Sequence, residues 1–133
     1  MWRLAVDAIP GSRFRPWTCP CQHAAGRSVG RQHAFWDCAV ATAVRAQFSE
    51  TRLPCGPVRS VQQAEVWLLR RDQQEPDSRW QQLAVCAIAA MEHGRQVMWA
   101  RMHAGELGDA LVQPAANLAV ERFWWLLAEV GLA

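Results

Sequence analysis

Between residues 19 and 38 the chain reads Cys19-Pro20-Cys21, then a loop of small and polar residues, then His33-Ala34-Phe35-Trp36-Asp37-Cys38. Three of the five cysteines and two of the four histidines fall inside these twenty residues. This is a set of residue types that suits a metal ion. Zinc takes four thiolate or imidazole ligands in a tetrahedron, and two short ligand pairs joined by a loop supply them at small closure entropy. The spacing predicts Cys19, Cys21, His33 and Cys38 as ligands of one structural Zn2+, with His23 in reserve. Two other readings stand beside it. Cysteine is among the most buried residue types, so Cys38 within Phe-Trp-Asp-Cys-Ala-Val-Ala could be a plain core residue, and a redox or disulfide role is the third.

The two halves of the motif place different demands on the backbone. An α-helix turns about 100° per residue, so residues five apart point about 140° away from each other. His33 is therefore expected just before the helix that carries Cys38, or on a distorted first turn. The single residue between Cys19 and Cys21 is tighter than the two to four usual between paired zinc ligands.

No enzymatic constellation is read from these residues. The aspartates are scattered, with no Asp-Asp pair of the kind polymerase metals need, and there is no H-E-x-x-H. A catalytic zinc keeps one coordination position open, whereas four protein ligands are at hand here. His33 and Cys38 as base and nucleophile are disfavoured by Cys19 and Cys21 beside them, because a ligated thiolate is no longer free to attack.

A family is similar to this stretch. Trp2-Arg3-Leu4-Ala5-Val6-Asp7-Ala8-Ile9-Pro10, then Cys19 and Cys21, then His33-Ala-Phe-Trp-Asp-Cys38 and Ala39-Val40-Ala41 to Val44, resembles the zinc-binding domain that follows the polymerase in reverse transcriptases of non-LTR retrotransposons. That pattern runs W-R-L, a short helix ending in L-P, C-x2-C, then H-L-F-x-x-C-P-x-A before an apolar helix. The likeness covers about residues 2 to 48. This chain departs from it in the short Cys19-x-Cys21 pair, in Ala39 where the family usually has Pro, and in the long loop before His33. The resemblance implies a zinc-bearing accessory module of a retroelement polyprotein.

Charge agrees with a nucleic-acid partner. The net charge is +2 overall, but residues 1 to 60 carry eight arginines against three acids, a net +5, and residues 61 to 133 carry six against nine, a net −3. Arg13, Arg15, Arg27 and Arg31 surround the motif with no acid between them. They are expected to touch the phosphates of RNA or single-stranded DNA, with Trp17 stacking on an unpaired base. Trp36 is expected in the core. The absence of a signal-like or membrane-spanning segment predicts an intracellular protein of nucleus or cytoplasm, where thiols stay reduced or metal-bound.

At 133 residues the chain is read as a single domain, 1–133, with a zinc-binding subregion at 2–48 and a helical subregion at 58–131. The fold class is all-α, a small domain of about five helices with a zinc-organised loop at its N-terminal end. Predicted helices run from Trp2 to Ile9, about Phe35 to Phe48, about Ser60 to Arg71, Ser78 to His103 with a bend at Gly94, and Pro114 to Val130. The third should bury Val61, Ala64, Trp67 and Leu68. The last should bury Val120, Phe123, Trp124, Leu127 and Val130, which leaves Trp125 and Leu126 for a protein partner or for self-association. Cys86 is expected in the core and Cys55 as a bystander in a turn.

Overall fold

The computed structural model describes residues 17–21, 28–30, 32–53, 56–57, 66, 78–106 and 108–133. Across these residues the fold is all-α. Two antiparallel ladders of two residues each, β1 (Trp17–Thr18) with β2 (Ser28–Val29) and β3 (Arg52–Leu53) with β4 (Gly56–Pro57), pin loops and form no layer of their own. The predicted helix at 2–9 lies outside the described residues. So does the helix at 60–71, except for Val66, which is helical and buried although the sequence stripe had not included it.

The segment read as one helix from 35 to 48 is three pieces. His33–Asp37 winds as a π turn, α1 spans Ala39–Ala46, and Gln47–Glu50 tightens into a 3₁₀ turn. Cys38 separates the first two, with ψ at 145°. The apolar positions still do what their spacing predicts, since Phe35, Val40, Val44 and Phe48 are all buried.

Two long helices complete the fold: α2 (Ser78–His103) and α3 (Gly108–Glu129). Both end in the same way. Gly105 has φ +89° and Gly131 φ +78°, a left-handed conformation that glycine adopts without penalty. In each, the glycine N–H returns to the carbonyl three residues back, Met102 or Ala128, and the next N–H returns to the carbonyl five back, Arg101 or Leu127. This paired closure is a Schellman motif, and it turns α2 sharply into α3.

The predicted start of the last helix was wrong. Pro114 lies inside α3, six residues after its first, and Leu111 explains the longer helix because its side chain is buried in the core. An interior proline usually costs a helix about 3 kcal/mol, so tertiary packing overrides a local preference here. The buried stripe of α3 is Leu111, Ala115, Ala116, Ala119, Phe123 and Leu127, while Val130 is exposed.

α2 runs through Gly94 without a break in its helix. A Cβ at Gly94 would lie 2.5 Å from Val40 Cγ1 and 3.0 Å from Ala119 Cβ. The glycine is the point where α1 and α3 both close on α2. Ala115 and Ala119 of α3 lie against it, both fully buried, and small side chains there allow the helices to approach. Bulk is supplied further along, where Phe48 meets Trp80 at 6.1 Å and Phe123 at 5.8 Å between ring centroids. The indole N–H of Trp124 then donates to Gln47 Oε1 at 3.0 Å, tying α3 to the end of α1.

Candidate metal centre

The β1–β2 ladder, with Trp17 opposite Val29 and Thr18 opposite Ser28, closes the loop that begins at Cys19 and returns the chain to Gly30. From there Ala34 N–H donates to Gly30 O at 3.1 Å, and the π turn starts. Its defining bond runs from Cys38 N–H to His33 O at 2.7 Å. An i→i+5 bond brings residues five apart back over one another, which an α-helix cannot do. The His-x4-Cys interval, awkward for an α-helix, is the interval a π turn stacks.

The result is a cluster of Cys19, Cys21, His33 and Cys38 whose ligand atoms all lie within 4.8 Å of one another. Cys19 Sγ is 3.6 Å from Cys38 Sγ, and Cys21 Sγ is 3.2 Å from His33 Nε2. A tetrahedron with Zn–S near 2.3 Å and Zn–N near 2.0 Å has edges of about 3.5–3.8 Å; the sulfur–sulfur separation falls in that range and the sulfur–nitrogen one is somewhat shorter, so the four atoms are gathered to about the size of such a site. All four residues are buried, from 1% exposed at Cys19 to 7% at His33. The thiols are free. Nε2 is the imidazole nitrogen that faces the sulfurs.

Within the cluster it is the Cys38 thiol whose anionic form is favoured. Cys38 is lowered to about 5, first by the hydrogen bond from the Cys19 thiol, against the opposing effect of burial. The backbone amide of Val40, in the first turn of α1, and the nearby His33 act in the same direction. Cys19 is raised by the same sulfur contact and by burial, while the Cys21 amide pulls it down. The one sulfur contact thus acts in opposite directions on its two thiols. A divalent cation would replace the thiol protons, because each cysteine ligates as thiolate.

Arg45 folds back over the turn. Its guanidinium carbon sits 4.2 Å from the Trp36 ring centroid, and Nη2 donates to Trp36 O at 2.9 Å and to Thr42 Oγ1 at 3.3 Å. On the other side Gln32 Nε2 donates to Asp37 Oδ2 at 3.3 Å. Trp36 is half-buried against the core, with Arg45 on one face. The sequence pattern gave no sign of this bracket, because residues nine apart share no helical period once Cys38 breaks the path.

His23, Arg13, Arg15, Arg27 and Arg31 lie outside the described residues, and of Trp17 only its place in β1 is described. Gly26-Arg27-Ser28-Val29-Gly30 matches the G-x-S-x-G spacing of hydrolase nucleophiles. That motif needs its serine on a sharp turn from strand to helix. Ser28 instead lies within β2, paired with Thr18.

Cys86 is buried in α2, where burial raises its thiol pKa, and it is not part of the cluster. A separate groove of about 430 Å³ runs along α2 and α3, lined by His93, Leu118, Glu121, Arg122 and Trp125. Trp125 is 55% exposed there, with Arg122 over its ring at 5.4 Å. Leu126, by contrast, packs partly against the core. Among the described residues no helix is long and apolar enough to cross a membrane. No family model, no curated protein and no solved structure matches this chain.

Proposed function

We propose that Cys19, Cys21, His33 and Cys38 bind one Zn2+ as a closed structural site, and that the chain is a non-catalytic nucleic-acid-binding module of the kind its first 48 residues resemble. The carrying observation is the buried Cys3His cluster, whose four ligand atoms lie within 4.8 Å of one another. Thiolate-rich sets select zinc over the hard cations, and four protein ligands leave no position for a substrate. Zinc would hold the ends of the basic loop, so that Arg13, Arg15, Arg27 and Arg31 meet phosphates at fixed spacing. The chain's uneven charge supports this reading.

The test is salt dependence. Four arginines on a single strand each release about 0.7 counterion, so log affinity for RNA or single-stranded DNA should fall against log salt with a slope near −3. Reversing charge at Arg27 and Arg31 together should flatten that slope, and chelation should weaken binding, because a loosened loop has to be ordered on contact. Undetectable affinity at low salt, about 50 mM on the scale where such contacts are strong, would defeat the nucleic-acid reading. A second reading, a protein-interaction domain, draws support from exposed Trp125 beside Leu118, itself 38% exposed. Concentration-dependent self-association abolished by Trp125→Ala would favour it.

A further inference from the structure

We infer that Arg45 is the positioning residue of the metal centre, latching the π turn in the one winding that brings His33 and Cys38 together; this rests on the metal-site reading above. The need for a latch follows from the backbone. A π turn is rare and is seen mostly as a single turn within α-helices, and here it does not run on into α1, since Cys38 turns away at ψ 145°. The helix that would continue its hydrogen bonding is thereby cut off from it. If the turn rewound to α geometry, His33 and Cys38 would point about 140° apart, and the four-ligand set would lose a member.

Arg45 joins the far end of α1 to this turn. Nη2 reaches the Trp36 carbonyl at 2.9 Å, and the guanidinium lies over the Trp36 ring. Trp36 is two residues before Cys38, so both contacts hold the part of the turn that leads into the ligand. Covering Trp36 does not by itself require an arginine. A methionine would cover the ring as well, without leaving a buried donor, whereas Arg45 Nε is buried with no hydrogen-bond partner. Burial also lowers the Arg45 pKa, against the favourable charge of Asp37. The half-buried guanidinium, with its Nε fully covered, therefore carries a cost that simple packing would not need, and its directed contact with the Trp36 carbonyl is what a hydrocarbon cannot supply.

The experiment compares zinc affinity, by competition with a chromophoric chelator, in the wild-type chain, Arg45→Met, Arg45→Lys and the control Gln47→Leu. Gln47→Leu, two residues further along at the same end of α1, removes the bond from Trp124 and leaves the contacts to Trp36 in place. Loss of a partner that orients a ligand usually weakens metal binding about 10- to 100-fold. Arg45→Met should fall in that range, Arg45→Lys should lose less, and Gln47→Leu should bind as the wild type does even if its melting temperature drops as far. With Co2+ in place of zinc, Arg45→Met should also show a weakened thiolate charge-transfer band, a readout that a general loss of stability leaves unchanged in the folded fraction. If Arg45→Met does not fold, Arg45→Lys carries the comparison. Wild-type affinity in the folded Arg45 variants, or an equal loss in Gln47→Leu, overturns the inference while the metal site stands. A wild-type chain that takes up neither ion defeats the metal reading itself and the latch with it.

Discussion

At the scale of single residues, the four proposed ligands are distinguished from the other cysteine of the described core by their company. Cys38 faces another sulfur, an imidazole and the first amides of a helix, whereas Cys86 is simply buried in α2. Cys38→Ser should therefore abolish metal binding, and Cys86→Ser should leave it intact, as metal analysis of the two purified variants would reveal. His93 supplies a different test. Burial and then the charge of Arg122 lower its pKa below the ordinary value, so the folded chain binds its proton less readily than the unfolded one. Its contribution to stability is present above the unfolded value of about 6.5 and is lost as pH falls from there through the lower folded value. Denaturant melts across that window should show a smaller acid loss in His93→Gln than in the wild type. The clustering of these four residues was legible in the sequence because cysteine and histidine are scarce and their grouping is informative. Arg45 was not, because its role depends on a chain break that composition and periodicity do not encode.

At the scale of elements, the π turn and the Gly94 crossing organise the rest. A helix-interior glycine normally loses about 1 kcal/mol relative to alanine, so Gly94→Ala would stabilise an isolated helix. In this fold the new Cβ meets Val40 Cγ1 at 2.5 Å, and a β-branched side chain has little rotamer freedom with which to yield. Overpacking of this kind costs about 1–3 kcal/mol, so steric conflict should match or exceed the propensity gain. Gly94→Ala should not stabilise the protein and is expected to destabilise it by up to about 2 kcal/mol. Adding Val40→Ala should recover part of that loss, a coupling measurable as a double-mutant cycle. The extent of α2 and most of its buried stripe were readable from three- and four-residue spacing. The π turn was foreseen only as a distortion, since the spacing shows where an α-helix fails without saying what replaces it. The first turns of α3 were missed because Pro114 is a strong local signal for a helix start, and the burial of Leu111 that outweighs it is a tertiary fact.

At the scale of the molecule, two parts differ in what holds them. The α2–α3 hairpin has an apolar core built from Trp80, Leu83, Met91, Phe123 and Leu127, with both helix ends closed by their own backbone. The 19–38 stretch buries three thiols and an imidazole, groups best satisfied together by a cation. Ligation is worth about 10–16 kcal/mol in small zinc-binding peptides, ample to order a loop of this length. Removing the metal should lower the melting temperature and loosen the N-terminal stretch, while far-UV circular dichroism retains most of its helical signal. The account's central claim is metal binding at this centre, and elemental analysis of the full chain purified without chelator tests it most directly. It predicts close to one zinc per chain, falling to none in Cys38→Ser. Metal-free protein in which the 19–38 stretch is nonetheless protected from hydrogen exchange would contradict it.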